Sequence, residues 1–116
     1  MDERLEKALD FSNYMLTLNN QKRLLSEKYQ QDLIYFYNGS QFTITRELIT
    51  FVNAMINAEQ DEVVLTDDNN IPCLVVNLSE FHSEIINKYS IASNEYYTEY
   101  ANLRKNRSVE KLVNYE

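Results

Sequence analysis

Apolar positions between residues 3 and 36 recur at alternating steps of three and four: Ala8, Phe11, Met15, Leu18, Leu25, Tyr29, Leu33 and Phe36. That spacing lines one side of a helix, so the pattern predicts a long helix over 3–36. Lys22 interrupts the stripe. Leu5, Leu9 and Leu16 widen it near the start, which predicts that this end meets more than one neighbour. Asn13, Asn19 and Asn20 lower helix propensity, making 18–20 the weakest point of the prediction. A second stripe follows from Leu78 through Phe81, Ile85, Tyr89, Ala92 and Tyr96 to Leu103, with Ile86, Tyr97 and Tyr100 beside it. Asn77 caps this helix and Glu80 completes a capping-box spacing. Neither glycine nor proline interrupts 77–107, so a helix of roughly 45 Å is predicted there.

Between the stripes the pattern shortens. Asn38-Gly39 ends the first helix, as an αL cap or turn. Gln41-Phe42-Thr43-Ile44 alternates with period two and reads as a short strand. Thr45 then caps a helix over 46–58, with Leu48, Ile49, Phe51, Val52, Met55 and Ile56 on a broad apolar face. Val63-Val64-Leu65 and Ile71 to Val76 are β-branched runs joined by Thr66-Asp67-Asp68-Asn69-Asn70, a β-hairpin with Pro72 toward an edge. The strand at 41–44 is a third, short member of that sheet. Beyond Arg107, Ser108 is placed to cap a C-terminal stub whose Val109, Leu112 and Val113 share a face. The fold class read from this order is α+β and predominantly helical. Two long antiparallel helices carry a small β-hairpin and short-helix cap, in a single domain over 1–116.

Composition sharpens that reading. The chain has one glycine and one proline against nine tyrosines and fourteen asparagines, so it favours long elements over tight turns. A net charge of −7 argues against a general nucleic-acid or anionic-membrane binder, which needs surplus Lys and Arg. One cysteine, Cys73, excludes an internal disulfide and a cysteine-rich zinc site. The charged start MDERLEKALD lacks a signal-peptide apolar core, and no run approaches membrane-spanning length. The expected location is the cytoplasm, the host's if the chain is viral.

Candidate chemistry is sparse. The one histidine, His82, lies near a helix start, and Cys73 lies in an apolar strand; a small enzyme using His82 with Cys73 or a carboxylate is the least supported reading. His82-Ser83-Glu84 has the H-x-E spacing of zinc deaminases without their P-C-x-x-C. Asp67-Asp68-Asn69-Asn70 resembles part of a calcium loop but lacks its glycine and its closing carboxylate, and a solvated hairpin turn accounts for it better. With one glycine there is no phosphate-cradling loop. No catalytic, cofactor or metal residue is assigned, and the chain reads as a non-enzyme.

What remains points to binding. Tyr96, Tyr97 and Tyr100 lie within a turn and a half of each other and cannot all face one partner helix, and tyrosine is favoured at protein interfaces. With Arg104, Arg107, Val109 and Leu112 they form the candidate interface, for a protein partner or a second copy. An alternative is an accessory to nucleic-acid metabolism using Lys22, Arg23, Lys28, Arg104, Lys105 and Arg107.

Two stretches, Tyr35-Phe36-Tyr37-Asn38-Gly39-Ser40-Gln41-Phe42 running into Arg46-Glu47-Leu48-Ile49, and Glu95-Tyr96-Tyr97-Thr98-Glu99-Tyr100 running into Arg107-Ser108-Val109-Glu110-Lys111-Leu112, carry a resemblance. In them the chain resembles small uncharacterised proteins of T4-like tailed phages infecting marine cyanobacteria. The resemblance implies a phage source and a small accessory protein, and it brings no activity and no catalytic residue.

Overall fold

The computed structural model describes the backbone of residues 2–115 and the side chains of residues 2–105. The described elements run α1 (Glu3–Asp32), β1 (Ile34–Tyr37), β2 (Ser40–Thr43), α2 (Arg46–Asn57), β3 (Val63–Thr66), β4 (Pro72–Val75) and α3 (Leu78–Tyr115). The fold is α+β and mostly helical, with α1 and α3 as its long helices and two separate two-stranded antiparallel sheets. None of the described helices is long and apolar enough to cross a membrane. The chain divides into two compact units, one of residues 1–29 with 95–116 and one of residues 30–94.

In the second unit the local chemistry is tight. The helix expected to reach Phe36 stops at Asp32, because the chain turns at Leu33 and Ile34–Tyr37 becomes a strand. Asn38 (φ 47°) and Gly39 (φ 80°) are then the paired central residues of a two-residue hairpin turn, not a helix cap. Two successive positive φ values suit the right-handed twist of the flanking strands, and Asn-Gly adopts them most readily. Tyr35 pairs with Phe42 and Tyr37 with Ser40, and Ile44 N–H donates to Leu33 O at 2.8 Å, extending the ladder beyond the strands. The strand at 40–43 therefore belongs with β1, and the sheet of β3 and β4 has no third strand.

Thr45 caps α2 as expected, its hydroxyl accepting from Leu48 N–H at 3.0 Å. The helix ends with Glu59 in the left-handed region (φ 63°). Glu59 N–H donates to Ile56 O and Gln60 N–H to Met55 O, the paired bonds of a Schellman ending with glutamate where glycine is usual. Of the broad face expected on α2, Val52 is buried while Phe51 remains exposed.

The β3–β4 hairpin forms in the register Val63↔Val75, Val64↔Leu74, Leu65↔Cys73, Thr66↔Pro72. Leu65, Cys73 and Val75 point inward and Val64 and Leu74 outward, as a two-residue period requires. Asn77 Oδ1 accepts from Glu80 N–H at 3.1 Å, and the Asn77 amide donates to the Glu80 carboxylate at 3.3 Å. Reciprocal capping thus starts α3 where the sequence places it. The helix continues past Arg107, where the sequence reading ends it and caps a stub at Ser108; with no Gly or Pro there, no residue obliges the backbone to break.

The core of this unit gathers on Phe81, which is 1 % exposed. Tyr35, Tyr37 and Phe42 stand edge-on around its ring, with centroids 5.6, 5.5 and 5.6 Å away. Tyr35 and Tyr37 share a face of β1 because they are two residues apart, and Phe42 is the cross-strand partner of Tyr35. Ile44, Val52, Val75, Leu78 and Ile85 are almost fully buried with it.

Candidate functional site

The candidate interface lies mostly in the first unit, where α1 meets the later part of α3. Tyr29 packs on Tyr96 with centroids 4.6 Å apart, and Tyr96 stands edge-on to Tyr100 at 6.1 Å. Lys22 places its ammonium 5.9 Å from the Tyr100 ring, which explains how a cation fits into an apolar stripe: its charge rests on a ring face. Lys28 donates to Glu95 at 2.6 Å and to Glu99 at 2.9 Å. Those hydrogen bonds, the one to Glu95 foremost, raise the Lys28 ammonium above its usual range. Ion pairs and ring contacts, rather than a deep core, join this unit. Leu18 is the one buried side chain of α1 among the described residues.

The predicted tyrosine cluster therefore divides. Tyr96 and Tyr100 are half-buried in the seam, while Tyr97 is 77 % exposed. Arg104 is exposed on the same helix. The side chains of Arg107, Val109 and Leu112 lie outside the described residues.

Sequence reasoning left one feature underweighted. Leu5, Leu9 and Leu16 do not widen the seam stripe of α1; they are 52 %, 46 % and 62 % exposed. The signal was present in their spacing of four and seven, which keeps them on one helix face and away from Leu18.

Three of the six basic residues assigned to a nucleic-acid surface are engaged within the chain. Lys28 is held by two carboxylates, Lys22 by a ring, and Arg23 Nε lies 3.8 Å from Glu27. Arg104 and Lys105 are exposed, and Arg107 falls outside the described side chains.

In the second unit the acidic turn is structural. Asp67, buried, accepts at Oδ1 from Asn69 N–H and Ile71 N–H, both at 2.9 Å, an Asx-type turn that shapes the hairpin loop. The Asp68 carboxylate accepts from Thr43 N–H at 3.0 Å, Thr43 Oγ1 at 2.7 Å and Gln41 Nε2 at 3.2 Å. Asp68 N–H donates in turn to Gln41 O. The four-residue acidic motif thus spends its carboxylates on the chain's own donors, clamping the β3–β4 turn to β2. Among the described residues no group of three or more His, Cys, Asp or Glu is arranged to hold a metal ion.

His82 is half-buried in the first turns of α3 and Cys73 is buried in β4. Tyr35 Oη donates to the Glu84 carboxylate; burial first, and that bond second, push its phenol above the usual tyrosine range. This pair anchors β1 to α3. No protein-family model matches the chain, no curated protein is significantly similar to it, and no solved structure matches its fold at a significant level.

Proposed function

We infer that this is a non-enzymatic protein–protein interaction or assembly accessory protein, of phage origin as the sequence resemblance implies. It acts by binding itself or a protein partner through an antiparallel pair formed by its long helices. The observation that carries this reading is the apolar surface left on that helical unit. Leu5, Leu9, Leu16 and Leu24 on α1 and Tyr97 on α3 are each close to half exposed or more, although helices of this length gain most of their stability by packing an apolar face. Contiguous exposed apolar residues rimmed by polar ones mark interaction surfaces. Tyr97 and Arg104, two turns apart on α3, supply the aromatic flank; tyrosine and arginine are both enriched in interface hot spots.

Light scattering on dilution, together with affinity capture using the full chain as bait, tests this. The expected result is self-association or a stoichiometric protein partner, weakened by Tyr97→Ala or by polar replacement of the exposed leucines. A strict monomer that captures nothing contradicts it.

A further inference from the structure

We propose that the outward face of α1 pairs with the same face of a second copy of this chain, antiparallel and in a defined register, which rests on the interaction reading above and names its occupant. At about 100° per residue, Leu5, Leu9 and Leu16 fall within an arc of roughly 40°, turned roughly 140° from the arc that holds Leu18, Lys22 and Tyr29. The second arc is the one used within the chain: Leu18 is buried, Lys22 lies over Tyr100 and Tyr29 packs on Tyr96. The leucine arc faces solvent.

The order of residues along that arc is symmetric about a point between Ser12 and Asn13. Leu9 and Leu16 stand equidistant from it, as do Leu5 and Asn20, and Asp2 and Arg23. A two-fold axis through that point makes the face complementary to itself, since in an isologous contact residue i meets j and j meets i. Leu9 of each copy then meets Leu16 of the other, Leu5 meets Asn20, and Asp2 meets Arg23. The charges agree with this direction. Asp2 lies at one end of the leucine arc and Arg23 at the other. A parallel pair sets Asp2 against Asp2 and Arg23 against Arg23; the antiparallel pair sets Asp2 against Arg23. The polar Ser12–Asn13 layer at the crossing disfavours shifted registers, as single polar positions do in helical seams.

Arg23 is free to change partners at little cost. Its pairing with Glu27 is an exposed i,i+4 contact at 3.8 Å, weak by nature. Asp2 uses one carboxylate oxygen on Arg4 N–H at 3.1 Å and keeps the other. The apolar strip is short, so the interface belongs at the small end of specific contacts, roughly 1,000 Å² in total, with a dissociation constant on the order of 10–100 µM.

Sedimentation velocity of the full chain from about 1 to about 500 µM spans that range. The expected result is a monomer–dimer equilibrium that Leu9→Gln with Leu16→Gln weakens at least tenfold. Asp2→Arg and Arg23→Glu each weaken it several-fold, and the two together restore it. Ser12→Cys, near the axis, forms an intermolecular disulfide on mild oxidation, whereas Glu6→Cys does not, because antiparallel pairing holds the two copies of position 6 about 20 Å apart. These positions are exposed, and unchanged far-UV circular dichroism controls for folding. A strict monomer overturns the proposal, as does cross-linking through Glu6→Cys as readily as through Ser12→Cys. Association that ignores the leucines and fails with Tyr97→Ala overturns it too, while leaving the interaction reading standing.

Discussion

Phe81 shows how much one side chain can organise in a chain of this size. Three rings from two adjacent strands meet it edge-on, and it is 1 % exposed, so both its volume and its ring orientation are used. Phe81→Ala removes that volume where β1, β2 and α3 converge, and a loss of about 3–5 kcal/mol is expected. Phe81→Leu keeps part of the burial and loses the edge-to-face contacts, so its loss is smaller. Urea unfolding read by tyrosine fluorescence checks the ranking, and equal effects of the two variants would show that the ring geometry adds nothing.

Tyr35, beside it, brings a pH dependence. Its phenol is raised above the ordinary value of 10.0 by burial and by its bond to Glu84. A group whose folded pKa is raised holds its proton more tightly when folded, so its contribution is complete below about pH 10 and is lost as pH climbs toward the folded value. The Lys28 ammonium, raised from 10.5 by Glu95 and Glu99, acts with the same sign in the helical unit. Stability is therefore expected to fall with pH above about 10, and Tyr35→Phe to shed one proton's share of that slope. Chemical denaturation at stepped alkaline pH measures it; an unchanged slope in the variant contradicts the assignment.

At the scale of elements, α1 is a helix with two uses for its circumference. One face takes Tyr96, Tyr100, Glu95 and Glu99 through Tyr29, Lys22 and Lys28. The other carries leucines that are about half exposed. The sequence pattern already showed more leucine than one seam requires. What periodicity alone blurred was whether the excess broadened one face or formed another, and the answer lay in angular bookkeeping over four- and seven-residue steps. The starts of α2 and α3 were legible because Thr45 and Asn77 bond to nearby backbone in ways that spacing reveals. The strand at 34–37 was not. Leu33 and Phe36 continue the three-and-four rhythm of α1, so helical periodicity runs on into residues that become β. Asn38-Gly39 between two apolar runs is equally a hairpin signal, and pairing with β2 and packing on Phe81 decided between the readings. The separation of β1–β2 from β3–β4 is a tertiary outcome that no local pattern reports.

For the whole molecule, the two units use different means of cohesion. Residues 30–94 bury a small aromatic and aliphatic core behind two hairpins and a short helix. Among the described residues the helical unit buries little and relies on ring contacts and ion pairs. Of the basic residues that sequence alone offered to nucleic acid, Lys22, Arg23 and Lys28 have partners within the chain. The acidic hairpin turn that resembled a metal loop is a clamp between β2 and the β3–β4 turn. Each became readable only when its hydrogen bonds were known. The central claim is that the uncovered face of α1 is where a second copy binds. Amide hydrogen exchange at low and high protein concentration tests it most directly. Slower exchange over residues 4–20 at high concentration is expected, with residues 34–44 and 63–75 unchanged; exchange that does not depend on concentration over 4–20, or protection confined to the hairpins, would contradict it.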